Sequence, residues 1–273
     1  MSRLAIAASS LLLLGAVRAA AQDFDPERWL ARCRHENWDD DKEKVCEVRE
    51  LGMRPVRGAL TIDPDVNGGV SVAVWDRDSI GVIAKITTWA RTAEDARALA
   101  RDVRIEVQGS GVRATGPGTL GRHQNWSVSL DVYVPRLTDL TIHTENGPVA
   151  VEGVKGTLDL SAKNGPVELV GVAGNVRARV TNGPLDVELS GGRWDGEGLD
   201  AETVNGPVDL AIPTGYSARL ETGTVNGPMS VEFPLTVTLV GHVTDRISTT
   251  LGSGGALVRV VTTNGPLTIR RPR

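Results

Sequence analysis

The sequence predicts an all-β fold: a repeat β-solenoid, resembling a single-stranded β-helix, that turns at Asn-Gly-Pro corners. Three observations predict it. The tripeptide recurs six times in the second half of the chain, and the apolar residues around every copy keep one register. The composition suits thin, regular β layers, with 31 glycines among 273 residues and aromatics at only 4%.

The corners begin at Asn146, Asn164, Asn182, Asn205, Asn226 and Asn264, at spacings of 18, 18, 23, 21 and 38 residues, the last being about two repeats. Counting back from Asn164 by six, four and two gives Leu158, Leu160 and Ala162; counting forward by three and five gives Val167 and Leu169. The other copies follow suit. In a strand, alternate side chains share a face, so these even positions point inward, and by that parity the Asn does too. The inward set then moves by an odd step, so the chain must turn at the tripeptide to keep both strands on one core. Gly supplies the unusual φ of such a corner, and Pro fixes the exit where no ladder donor is needed. Stacking one coil per repeat places each Asn over the last, in position for an amide ladder, and neighbouring coils share a continuous core. A sandwich of hairpins would not require the same register at every turn, and propeller blades need longer repeats. Residues 191–198 lengthen one coil into a loop. Residues 232–257 form a degenerate coil or a longer excursion.

Ahead of the repeats, residues 1–21 read as an export signal. Arg3 precedes the apolar stretch Leu4 to Val17, and Ala19-Ala20-Ala21 places cleavage before Gln22. Residues 22–56 form a charged N-terminal segment. Asp25-Pro26-Glu27 starts a helix. Asp39-Asp40-Asp41 marks a turn to a second short helical piece. The only two cysteines, Cys33 and Cys46, most simply form one disulfide joining the pieces, worth about 3 kcal/mol for a loop of that length. A metal site is the alternative, with His35 the nearest further ligand. Residues 57–139 carry N-terminal strands: Leu60 and Ile62, then Val70, Val72 and Val74, then Ile80 to Ile86, and later Trp126 to Val134. A capping helix over 92–102, N-capped by Thr92, interrupts them. Residues 140–273 are the solenoid repeats.

Cys46-Glu47-Val48-Arg49-Glu50, Asn67-Gly68-Gly69-Val70-Ser71-Val72 and the repeated corners resemble the bacterial putative-adhesin family of β-strand-repeat proteins, over roughly residues 46–270. In that family the third corner position is commonly Gly, whereas six copies here carry Pro. The resemblance implies a β-helix-like domain of unknown function in a cell-envelope or surface setting: periplasm, cell surface or extracellular space. It brings no catalytic residues.

Net charge is −4, and removing residues 1–21 leaves 28 basic and 34 acidic groups. That balance gives no footprint for nucleic acid or anionic lipid. No later stretch approaches the ~20 apolar residues of a spanning helix. Asp63-x-Asp65-x-Asn67-Gly68 opens like a calcium loop, but Val74 stands where a bidentate Glu is needed, so it reads as a turn. His35, His123, His143 and His242 have no ligand spacing. The repeat acids, from Glu145 to Asp209, are spread and interleaved with Arg177 and Arg179, as on a solvated face. The expectation is therefore an exported adhesin or scaffold without cofactor, metal or catalytic residues. Its partner is a surface or envelope glycan or protein, and the unprotected final coil allows end-to-end self-association. Trp194, in the long loop, and Tyr216 are the candidate binding aromatics; the alternative for Trp194 is that it folds back over the apolar edge. The competing class is a polysaccharide-active β-helix enzyme, a lyase or hydrolase.

Overall fold

A computed structural model describes residues 24–35, 41–233 and 246–272. Residues 1–21, expected to be an export signal, lie outside them. The chain is mostly β. It opens with α1 (Pro26–His35), β1 (Glu43–Met53), β2 (Leu60–Asp63), β3 (Val70–Val74) and β4 (Ile80–Ala90), followed by α2 (Ala93–Asp102), β5 (Arg104–Gln108), β6 (Gly111–Thr115) and β7 (Asn125–Val134). The repeats supply β8 (Leu140–Asn146) with β9 (Val149–Glu152), β10 (Lys155–Asn164) with β11 (Val167–Val170), and β12 (Ala173–Asn182) with β13 (Leu185–Glu188). After these come β14 (Gly198–Asn205) with β15 (Val208–Ala211), β16 (Ala218–Asn226) with β17 (Met229–Val231), the lone β18 (Arg246–Leu251), and β19 (Leu257–Asn264) with β20 (Leu267–Arg270).

Each repeat gives its longer strand to one ten-stranded sheet and its shorter strand to another. The orders are β1-β4-β7-β3-β9-β11-β13-β15-β20-β17 and β18-β16-β19-β14-β12-β10-β8-β2-β6-β5. Pairing between coils is parallel and in register, Leu158 against Val176 and Val167 against Leu185. The apolar positions of the repeat face one core between the sheets: Leu158, Leu160, Val167 and Leu169 are each 1% exposed or less. Ahead of the six Asn-Gly-Pro coils lies one more, β2 with β3, cornered at Asn67 and stacked directly on β8 and β9, so the sheets run unbroken through residue 140.

The corner is an amide ladder running one way. Asn226 donates from Nδ2 to Asn264 Oδ1 (2.8 Å), Asn264 to Asn205 (2.8 Å), Asn205 to Asn182, Asn182 to Asn164 and Asn164 to Asn146 (each 2.9 Å), and Asn146 to Asn67 (3.3 Å). The ladder lies on the outside, and most of these asparagines are exposed. The expectation that Asn points inward is corrected: the last inward residue is two positions earlier, and the corner begins there. At three of the four corners where that residue is Thr, its hydroxyl reaches across to the glycine of the adjoining coil. Thr203, Thr262 and Thr224 donate to the carbonyls of Gly183, Gly206 and Gly265 at 2.8–2.9 Å. Corner glycines are required by packing, since a Cβ on Gly165 would sit 2.2 Å from Gly147 O.

The coils do not stack in sequence order. The last coil, β19 with β20, inserts between the fourth (β14, β15) and the fifth (β16, β17). This accounts for the double spacing: after β17 the chain travels to β18, which pairs antiparallel with β16 at the sheet edge, and then returns inward. Charge supports this order. Across the outer face the register reads Asp159, Arg177, Asp200, Arg259, Glu221, alternating in sign, whereas sequence order would set Asp200 against Glu221. The final coil is therefore internal, and the bare last coil that suggested end-to-end assembly is not at an end.

At the N-terminal end β1, β4 and β7 extend one sheet antiparallel. The helix α2, capped by Thr92 Oγ1 accepting from Asp95 N (3.1 Å), buries Ala96, Leu99 and Ala100 over the core. Thr88 Oγ1 donates to Ala96 O (2.8 Å), and Arg49 donates to Val103 O and Ala100 O at the helix C-terminus (2.7 and 2.9 Å). Cys33 and Cys46 are disulfide-bonded. Cys46 sits on β1, so a strand replaces the second helical piece expected there: Glu43–Met53 finds eleven partners on β4, which a short isolated helix could not match. Cys33 is the only fully buried residue of α1, so the disulfide is its main anchor.

Candidate functional site

Most of the side chains that the sequence singles out are engaged in the fold. Trp194 is 6% exposed and donates from Nε1 to Gly174 O (2.9 Å). Tyr216 is 4% exposed, and burial pushes its hydroxyl up to about 12. Neither is an exposed anchor, because both fold back onto the core. Asp65 takes a left-handed φ of 66°, and its N–H donates to Asp63 Oδ1 (2.9 Å), so the calcium-like stretch is an Asx turn. Among the described residues no three His, Cys, Asp or Glu side chains are grouped to hold a metal ion. His242 lies outside the described residues.

The repeat acids divide between the two outer faces. On the longer-strand sheet Arg179 and Arg259 both pair with Asp200 and Glu202. Burial raises Asp200, but hydrogen bonds from Arg179 and Arg259 outweigh it and hold the carboxyl below the usual range. On the other sheet Glu168, Asp186 and Asp209 stand opposite one another on adjacent strands. Burial, then Asp209 and Glu168, raise Asp186; Asp209 is paired with Arg270 (2.8 Å). Because the folded pKa of Asp186 is raised, folding favours its protonated form, and stability falls as pH rises through that value. Asp186→Asn is therefore expected to stabilise the protein at pH 7 by about 0.5 kcal/mol, since the site is largely solvated. The gain should vanish below the ordinary carboxylate pKa. Thermal melts across pH check it, and a gain that persists at pH 3 would contradict the assignment.

A different place gathers groups that the fold does not use. On the outer face of the antiparallel end, Gly52 of β1 stands directly opposite Gly81 of β4, and the backbone at Gly52 is bare. Trp75 lies over Gly81, its ring close enough that a Cβ there would meet it at 2.5 Å. Its Nε1 donates to Ser79 O (2.7 Å), fixing the ring. Trp75 stacks on Tyr133 at 5.7 Å, and the Arg77 guanidinium sits 4.9 Å from the Trp75 ring centre. The resulting cavity is about 620 Å³ and shallow, lined by Phe24, Glu50, Gly52, Arg54, Trp75 and Tyr133 among others. Burial, then Asp131, push the Tyr133 hydroxyl up, so it stays protonated at neutral pH. Phe24 enters from the segment ahead of α1 and lies 6.0 Å from Lys85 Nζ, itself paired with Asp131 (2.8 Å). Aromatic surfaces, an unengaged guanidinium at Arg54 and a carboxylate at Glu50 make this groove the candidate binding site among the described residues.

Sequence reasoning passed over these aromatics, yet a signal was present. Trp75 shares the outward parity of Ser71 and Ala73, and Tyr133 is the outward residue between inward Val132 and Val134, so both are large apolar side chains on a solvent face.

A family model described as Toastrack DUF4097 matches residues 93–270. The chain belongs to the Toastrack DUF4097 family. Of the groove residues named above, only Tyr133 lies within the matched Toastrack span; Phe24, Gly52, Arg54, Trp75 and Arg77 precede it. Among solved structures, a putative cell adhesion protein from Clostridium sporogenes is 10% identical with a TM-score of 0.38, covering 84% of this chain and 100% of its own. A putative adhesin from Bacteroides fragilis is 10% identical with a TM-score of 0.29, covering 84% of this chain and 97% of its own. No curated protein matches. No described helix of this Toastrack chain is long and apolar enough to cross a membrane.

Proposed function

We propose that this chain is a non-catalytic, exported cell-envelope or surface protein, an adhesin or scaffold whose solenoid holds the Trp75–Tyr133 groove out to a glycan or protein of the envelope. One observation carries the reading: the groove is a pre-formed cavity of mixed apolar and polar lining, with fixed aromatics, a free guanidinium and a free carboxylate, on a sheet face. The repeat acids support it from the other side, being spent on ion pairs or spread over open sheet faces. The test is co-sedimentation of the purified protein with isolated bacterial envelopes. Wild type should pellet, and Gly52→Leu should remain soluble while melting normally, because a side chain at Gly52 finds its nearest neighbour at 3.7 Å. Undiminished pelleting of Gly52→Leu would refute the groove.

The second reading is a polysaccharide-active enzyme. It is favoured by Asp186 and Asp209, adjacent carboxyls with one raised and one held by Arg270, the kind of split environment that acid–base catalysis uses. The pair lies on a flat sheet face, and neither residue lines the groove described above. Turnover of any polysaccharide that is lost in Asp186→Asn would establish this reading instead.

A further inference from the structure

We infer that the groove binds a polysaccharide segment bearing carboxylates, a uronic-acid chain, with the carboxylate held at the Arg54 end. The inference rests on the groove being the binding site and goes on to name its ligand. Glu50, Gly52 and Arg54 follow the outward alternation of β1, with Glu50 and Gly52 both exposed. At ~3.3 Å per residue, Glu50 and Arg54 stand about 13 Å apart with bare glycine backbone between them, too far to neutralise each other. That span matches two to three sugar rings lying flat. Gly52 leaves room for a ring against the backbone beside the Trp75 that covers Gly81, and Trp75 and Phe24 offer apolar edges to its C–H faces.

The two ends differ in chemistry. Arg54 has no hydrogen bond or ion pair among the described residues, and Arg77 lies over Trp75 beside it, so this end presents guanidinium forks suited to a planar carboxylate. At the far end Glu50 accepts from sugar hydroxyls. The protonated Tyr133 hydroxyl can donate or accept between the two ends. Two guanidiniums against one carboxylate give the lining a positive balance on a chain of net charge −4, the sign an acidic ligand needs. The cavity is shallow and open, which suits the interior of a polymer better than an enclosed free sugar.

The test is calorimetry of the purified protein with tetramers of galacturonate, mannuronate and guluronate, each as the free acid and as the fully methyl-esterified form. At least one free uronate should bind, and its ester at least about tenfold more weakly, the loss of one charge-assisted hydrogen-bond pair. Arg54→Gln should lower binding of the acid to the level of the ester without changing the ester's own affinity. Gly52→Leu should abolish both. Dextran sulfate serves as a control for charge alone, and its binding should survive Gly52→Leu. Equal binding of acid and ester, uronate binding that survives Gly52→Leu, or no binding of any uronate would each overturn the inference. In the last case, envelope pelleting that is still lost in Gly52→Leu would leave the groove intact and reject only the ligand.

Discussion

Deleting residues 257–273 is expected to release β16, β17 and β18 from the fold while leaving the coils up to residue 211 intact. The inserted coil gives β16 and β17 their parallel neighbours in both sheets. Val258, Val260, Leu267 and Ile269 are all 0% exposed. Burying four such side chains contributes on the order of 6–12 kcal/mol, comparable to the whole stability of a domain. The displaced coil could move one place inward only by setting Glu221 against Asp200, where the native fold has Arg259 between them. Limited trypsin digestion should cut the truncated protein at Arg219 and Arg246 and leave a resistant fragment ending at Arg219. Protection of both sites equal to wild type would show that the fifth coil holds without the sixth.

The second large effect is expected at the corner. Gly165→Ala would drive a methyl group to 2.2 Å from Gly147 O, and both positions are backbone in the middle of the stack. The neighbouring corners are equally tight, Gly183 over Gly165 at 2.1 Å, so the strain cannot be passed along. A loss of about 3 kcal/mol follows, or roughly 6–12 °C in Tm for a domain of this size. Gly118→Ala, where nothing lies within 4 Å of the added carbon and φ is ordinary, is the control and should change stability by less than about 0.5 kcal/mol. Equal melting of the two variants would mean that the corners open more easily than their packing implies.

The architecture was legible because one register repeats. The apolar positions at −6, −4, −2, +3 and +5 around Asn164 are those buried in the core, as period-two alternation requires. Coil order was not legible, because every coil presents the same apolar faces and any neighbour satisfies them. Only the outward charges, Arg259 between Asp200 and Glu221, distinguish one order from another, and these become informative once strands are laid side by side. The inward Asn was misread because parity was carried through a corner where the strand already bends. The groove was missed for a related reason. Its parts come from β1, the segment after β3, β4 and β7, brought together by antiparallel pairing that no periodicity in the chain announces. Trp194 was noticed because it stands in a Gly-rich loop, yet that loop is where the chain folds back and buries it.

The one-way run of asparagine amides also decides where this molecule can grow. Every coil must arrive at the Asn edge in step, so a residue added there would break a hydrogen bond on both sides. The opposite turn, where Gly156, Gly174 and Gly196 stack, nevertheless admits extra residues. The step from Asn182 to Asn205 is 23 residues against 18 for the two before it, and the surplus lies in the loop around 191–198, far from the ladder. The protein is thus a ruler with one fixed edge and one free margin. Peptides grafted into the free margin should be displayed at coil-by-coil intervals of about 4.8 Å without disturbing the fixed edge.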